Sequence, residues 1–190
     1  MATERILIHH TLVEPFKAAF QKAISTVFPD DQPAPVLITT AGVAKNKKLI
    51  ADAQAKGATI AHGNPAVEDA SAYRMRPIVI DGVTKDMDLY YTESFGPTVS
   101  LIAVSDDEEA IAIANDTEYG LSGAVFTENL ARGIKIARRI ESGAVHINSM
   151  SVHDEASLPH GGVKKSGWGR FNGDWGIDEF LQLKTITYSL

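Results

Sequence analysis

The sequence predicts an α/β fold: an open, mostly parallel sheet with helices on both faces. Three observations predict it. Short β-branched apolar runs alternate with amphipathic helical stretches along most of the 190 residues. The links between them are short, which favours right-handed crossovers and parallel pairing. Hydrophobic residues make up 44% and charged residues 22%, the composition of a chain that folds around a core, since disorder needs fewer apolar groups and more net charge.

Each element follows from its own pattern. Residues 5–10 form a β-branched apolar run that suits a strand, and residues 13–27 place Phe16, Ala19, Phe20, Ala23 and Val27 on one helical stripe. Three prolines within residues 29–35 remove backbone donors and push their predecessors out of the helical region, so this segment is a loop. Residues 36–39 suit a short strand. Residues 44–56 are rich in helix formers and close on Gly57, a good left-handed terminator. Strands follow at 58–61 and 76–80, the second ending in an Asp81-Gly82 turn, and another at 98–104. Ser105 then caps a helix whose first residues, Asp106 to Glu109, are acidic and complement the positive end of its dipole. A strand is expected at 120–127 and a helix at 130–140, with Leu130, Ile134, Ala137 and Ile140 inward and Arg138 and Arg139 near its negative end. Residues 145–148 make one more strand. Beyond lies a glycine-rich loop at 159–173, a short helix at 174–180 and a final strand at 183–188. No repeat, low-complexity tract or linker divides the chain.

Composition excludes several functions. A net charge of -6 and a pI near 5.5 argue against non-specific binding to nucleic acid or to an anionic membrane, both of which need a basic surface. Small molecules or proteins are the expected partners. No apolar run approaches the roughly 20 residues of a membrane span, and the start of the chain lacks the zones of a secretory signal, so a cytoplasmic location is expected. There is no cysteine, which removes disulfides, thiolate zinc sites and a thiol nucleophile from this chain. The Asn115-Asp116-Thr117 sequon is the kind that occurs by chance.

Phosphate-loop, zinc-protease and serine-hydrolase motifs are absent, and the glycines at 161–173 do not have dinucleotide-fingerprint spacing. Six histidines suggest no metal site: His9 and His10 are expected on opposite faces of a strand, and His153 and His160 lie in irregular structure. Two segments carry more. Glu93-Ser94-Phe95-Gly96-Pro97 places a carboxylate and an aromatic ring two residues apart, just before a turn and a buried strand. In an open sheet such strand-end loops build ligand sites. A carboxylate can accept from two ribose hydroxyls, and a ring can pack on a sugar and a nicotinamide. The alternative, a solvated Glu and a core Phe beside a turn, stands next to it. The run from Pro159 to Arg170, with Lys164, Lys165 and Arg170, reads as an ordered loop whose cations either bind an anion or are merely solvated.

Together with Met1-Ala2-Thr3-Glu4-Arg5, Asn115-Asp116-Thr117-Glu118-Tyr119-Gly120-Leu121 and Gly161-Gly162-Val163-Lys164-Lys165-Ser166-Gly167, these segments resemble the C-terminal part of the aldehyde dehydrogenase superfamily, in family order and across nearly the whole chain. The resemblance implies a catalytic domain over 1–180 and a C-terminal oligomerisation strand over 181–190 that pairs with a hairpin lying upstream, hence a homo-oligomer. It implies no catalytic residue in this chain: the nucleophilic cysteine is expected immediately before Met1, and the general-base glutamate, the oxyanion asparagine and the Rossmann-type domain earlier still. In such enzymes a thiolate attacks the aldehyde, hydride passes to NAD or NADP, and water cleaves the thioester. Glu93 matches the residue that holds the nicotinamide ribose, and Phe95 the aromatic packed against the same part of the cofactor.

Val152, His153 and His160 fall in the region matching the aldehyde tunnel, and the Val152-His153-Asp154-Glu155 wording is similar to dehydrogenases of aromatic aldehydes of the salicylaldehyde and vanillin type. His160 replaces the usual phenylalanine, and Phe171 stands where many relatives have a glutamate. The expected function is therefore part of an aromatic-aldehyde dehydrogenase, inactive by itself. The alternatives are a truncated, non-enzymatic binding or antigenic module, and a member acting on semialdehydes or forming acyl-CoA. The choice between NAD and NADP belongs to the missing cofactor domain.

Overall fold

The computed structural model describes residues 2–67 and 69–190. Two compact units divide the chain, Met1–Ala112 and Ile113–Leu190. The boundary falls inside a helix, which is why no linker marks it in the sequence.

In the first unit a four-stranded sheet has the order β1-β4-β3-β2. Strand β1 (Arg5–His9) and strand β3 (Ile78–Asp81) both pair parallel with β4 (Thr98–Val104), and β2 (Thr59–His62) closes one edge antiparallel to β3. Mostly parallel pairing with interleaved helices agrees with the expected class. Period-two alternation sends Ile8, Val79 and Leu101 to one face, where they pack with Ile24, Phe16 and Phe20 of α1 (Val13–Val27). The stripe of α1 thus runs through Val13, Phe16, Phe20 and Ile24. Ala19, Ala23 and Val27, expected inward, are exposed, because the two rings 5.4 Å apart already fill the space above the sheet. Ile78 and Ile80, on the opposite face, are 1% and 0% exposed, so that face is covered too. Helix α2 (Thr40–Ala55) buries Val43, Leu49, Ile50 and Ala53, and α3 (Asp88–Tyr91) buries Leu89 and Tyr90.

Several boundaries differ from expectation. A 3-10 turn, His10–Leu12, ends β1 early, and the His9 and His10 rings lie 4.4 Å apart rather than on opposite faces. Residues 36–39 make only an isolated bridge, Val36 to Arg74, since the Pro-rich approach leaves few donors to pair. Helix α2 starts earlier than Ala44 because the Thr39 hydroxyl accepts the Gly42 N–H at 3.1 Å. Gly57, at φ 104°, ends it as expected. Helix α4 (Asp107–Asn115) is capped by Asp106, whose carboxylate accepts the Glu109 N–H. Glu109 in turn accepts from the hydroxyl and N–H of Ser105.

In the second unit the strand expected at 120–127 splits into β5 (Tyr119–Gly120) and β6 (Ser122–Val125). The first pairs antiparallel with β8 (Val163–Lys164), inside the glycine-rich segment, and the second pairs parallel with β7 (Ala144–Ile147). One continuous strand could not serve both partners. Helix α5 (Leu130–Ala137) leaves Leu130 and Ile134 exposed. It approaches β7 instead through buried Gly133, whose missing side chain admits Ile147. Helix α6 (Gly173–Asp178) ends two residues sooner than expected. Residues 183–188 have no strand partner among the described residues; the ladder that defines a strand needs a second edge.

Candidate functional site

Each unit carries one group of the expected site residues. In the first, the loop Glu93 to Pro97 runs from α3 to β4. Its backbone is held on both sides. The Glu4 carboxylate, one residue before β1, accepts the N–H of Ser94 at 2.9 Å and of Phe95 at 3.0 Å. Asn46, completely buried on α2, donates from Nδ2 to the Ser94 carbonyl at 3.0 Å and to the Gly42 carbonyl at 2.9 Å. Ser94 is 1% exposed, and its hydroxyl accepts the Gly96 N–H at 3.3 Å. A Cβ at Gly96 would stand 2.6 Å from Asn46 Cγ, so the loop packs against Asn46 only because Gly96 has no side chain.

These restraints present the two predicted residues. Phe95 adopts φ 49°, a left-handed conformation that costs about 1 kcal/mol or more for a bulky L-residue. The residue is 66% exposed, so it is not a core phenylalanine beside a turn. Glu93 is half-buried and, among the described residues, its carboxylate has no hydrogen-bond partner. Burial pushes its carboxyl above the ordinary range, the like charge of Glu4 adds to this, and Lys45 opposes it. Met1, beside which the thiol is expected, lies outside the described residues.

In the second unit Val152, His153 and His160 are held by the segment around residues 152–160. Asn172 Nδ2 donates to the Asp154 carboxylate at 2.8 Å and to the Glu155 carbonyl at 3.1 Å. His160 exchanges two 2.9 Å backbone bonds with Phe171, and their rings meet edge-on at 5.1 Å. Its side chain is 11% exposed, with Nδ1 3.6 Å from Asp154. His153 Nε2 lies 3.3 Å from Glu155, while Val152 is exposed. His146 of β7 joins them: its ring centroid is 4.8 Å from that of His153. Its Nε2 is buried without a partner among the described residues. Burial, and then the neighbouring His153 and His160, hold its imidazole below the ordinary pKa.

The cations of the glycine-rich loop are engaged in its own construction. Lys164 Nζ donates to the Asn115 and Thr117 carbonyls at 2.7 and 3.1 Å and pairs with Glu141 at 2.7 Å. Lys165 pairs with Glu118 at 2.5 Å, and Arg170 donates to the Gly162 and Gly169 carbonyls. Two of its glycines are required by close packing: a Cβ at Gly161 would stand 2.5 Å from the Gly169 oxygen, and one at Gly162 2.6 Å from the Ser166 oxygen. The described residues contain no group of three His, Cys, Asp or Glu able to hold a metal ion, and no helix long and apolar enough to cross a membrane.

Glu4, Asn46 and His146 were not singled out by sequence reasoning. Asn46 had a signal, since it is a polar residue on the apolar Val43, Ile50 and Ala53 face of α2. Glu4 had none, because its partners are 90 and 91 residues away.

Residues 1–186 match the Aldehyde dehydrogenase family. Vanillin dehydrogenase of Pseudomonas fluorescens is 37% identical over 98% of the chain and 39% of its own length. Among solved structures, a salicylaldehyde dehydrogenase from Pseudomonas putida G7, complexed with salicylaldehyde, superposes with TM-score 0.85 at 33% identity, covering 95% of this chain and 38% of that one. A succinic semialdehyde dehydrogenase from Streptococcus pyogenes in complex with NADP+ gives 0.84 at 32% identity, covering 93% and 40%. The chain therefore spans about two fifths of the length of these relatives.

Proposed function

Since the chain belongs to the aldehyde dehydrogenase family, we propose that it is part of an oxidoreductase that converts an aromatic aldehyde to the carboxylic acid with NAD or NADP, through a cysteine thioester. Because the 190 residues include no cysteine, the thiol comes from polypeptide outside them, and the chain alone is inactive. Residues 1–180 form part of the catalytic domain, and residues 181–190 pair with another segment in a homo-oligomer.

The observation that carries this reading is a half-buried Glu93 carboxylate, without a hydrogen-bond partner among the described residues, beside the exposed Phe95 ring on a loop anchored from two sides. These residues fit a nicotinamide nucleotide. A carboxylate is acceptor-only and takes two hydroxyl donors of a ribose, and an exposed ring gives the sugar and nicotinamide an apolar face. When bound, the nicotinamide supplies the hydride acceptor for the aldehyde carbon. Glu93 orients the ribose, and Phe95 keeps water from that side of the ring. Val152, His153 and His160 line the aldehyde pocket. The aromatic preference rests on the likeness to the vanillin and salicylaldehyde enzymes.

The test uses the polypeptide carrying this chain together with its family cofactor domain and cysteine. It is expected to reduce NAD or NADP with a hydroxylated benzaldehyde, followed by absorbance of the reduced cofactor, while the 190-residue chain does not. A folded intact enzyme that oxidises no aldehyde refutes the assignment. The missing thiol also favours a second reading, a truncated module that binds without catalysis. A cysteine codon in frame immediately before Met1 decides against it, and a stop codon decides for it.

A further inference from the structure

The loop that presents Glu93 and Phe95 is fastened by a residue far away in sequence. Glu4 lies 90 residues before Ser94, yet its two carboxylate oxygens each accept one N–H of the loop, Oε2 from Ser94 and Oε1 from Phe95. Bonds from amides to an ionised acceptor are the stronger kind of protein hydrogen bond. Two of them to adjacent residues fix the orientation of the peptide between them as well as its distance. That peptide joins Ser94 to Phe95, and Phe95 is one of four non-glycine residues among those described that have positive φ. A left-handed phenylalanine persists only where its surroundings determine it. Glu4 supplies that determination from one side, and the amide of Asn46 on the Ser94 carbonyl supplies it from the other.

Glu4 also precedes β1 directly, and its own carbonyl accepts the Ser100 N–H at 3.0 Å, at the head of the β1 to β4 ladder. The side chain and main chain of Glu4 thus tie the approach to β1 to both the loop and the strand that follows it.

Resting on the reading of Glu93 and Phe95 as nicotinamide contacts, we propose that Glu4 is a positioning residue for the cofactor: its bidentate grip on Ser94 and Phe95 sets where the Glu93 carboxylate and the Phe95 ring stand. It touches no substrate or cofactor itself. The like charge of Glu4 beside Glu93 is a second route by which it acts on that carboxylate.

Three variants of the intact enzyme test this. Glu4→Gln keeps the length of the side chain but offers one acceptor where two are needed and turns an NH2 group toward the other donor. It is expected to raise the KM for the nicotinamide cofactor about tenfold, the loss of roughly one charge-assisted bond, with the KM for the aldehyde changed less than twofold. Amide exchange at Ser94 and Phe95 is expected to accelerate roughly tenfold or more, and the Glu93 carboxyl to titrate lower than in the parent. Glu4→Asp, which retains two oxygens, is expected to recover part of the loss. Glu93→Gln is the control for the underlying reading. If Glu93→Gln raises the cofactor KM and Glu4→Gln does not, the positioning role is overturned while the cofactor reading stands. If neither variant changes it, the cofactor reading fails and takes the proposal with it. A Glu4→Gln enzyme that loses only kcat, with unchanged amide exchange in the loop, has lost folded protein instead of cofactor geometry, and this too overturns the proposal.

Discussion

Gly96→Ala is the smallest change that tests how the Glu93 loop is held. The added methyl would lie 2.6 Å from Asn46 Cγ, about 1 Å inside ordinary carbon–carbon contact. Asn46 is fully buried and cannot swing into solvent. Overpacking of this kind costs about 1 to 3 kcal/mol. Displacing the Asn46 amide also breaks its 3.0 Å bond to the Ser94 carbonyl, worth about 1 kcal/mol net. The sum is about 2 to 4 kcal/mol, which for a chain of this size lowers the melting temperature by roughly 4 to 16 °C. Calorimetry or circular dichroism on the single and double variants measures it. Since the clash is with one side chain, Asn46→Ala removes most of it, and Gly96→Ala is expected to cost under about 1 kcal/mol in that background. Equal costs in both backgrounds would show that the loop does not pack on Asn46, refuting the account of how it is held.

Other expectations follow from the same geometry. The Lys17 ammonium, bonded first to Glu14 at 2.8 Å and then to Asp81 at 2.9 Å, is pushed up to about 12 from 10.5. A raised folded value contributes stability below the unfolded pKa that is lost as pH climbs through the folded one. Between pH 10.5 and 12 the parent should therefore lose more stability than Lys17→Met, as read from urea midpoints at several pH values; parallel curves contradict this. His146 is shifted the other way, chiefly by burial, so its contribution is full above about 6.5 and falls as pH drops through the lower folded value. His146→Phe should flatten the decline between pH 7 and 5, and an NMR titration of His146 at or above 6.5 would contradict it. Arg76 donates to the Pro29, Asp30 and Gln32 carbonyls at 3.3, 3.0 and 2.8 Å. Arg76→Ala should expose the 29–35 loop to limited proteolysis several-fold faster, while an unchanged cleavage rate would mean that the loop is held by something else.

How much of this was legible depends on whether the cause is local. The strands around Ile8, Ile80 and Ile102 and the terminator Gly57 follow from side-chain pattern and backbone preference within a few residues, and they stand close to where the sequence puts them. Helix α1 was legible as a helix but not in its facing: Ile24 displaced Val27 because the position of Phe16 and Phe20 over the sheet is a tertiary fact. The single strand read at 120–127 became two because each half has a different partner, and partners are not a property of a segment. Strand β8 was hidden behind Gly161 and Gly162, whose reason is close packing on the Gly169 and Ser166 backbone. For the candidate site, Glu93 and Phe95 were visible as a carboxylate and ring before a turn. Their supports were not, since Glu4 and Asn46 reach them across 90 and 48 residues.

Whether Glu93 and Phe95 face a nicotinamide nucleotide is read from magnetisation transfer between the protons of the bound nicotinamide ring and those of the Phe95 ring in the intact enzyme. The expected result is a cross-peak that disappears in Phe95→Leu and weakens in Glu93→Gln. A saturated enzyme that turns over aldehyde yet shows no transfer to Phe95 would contradict it.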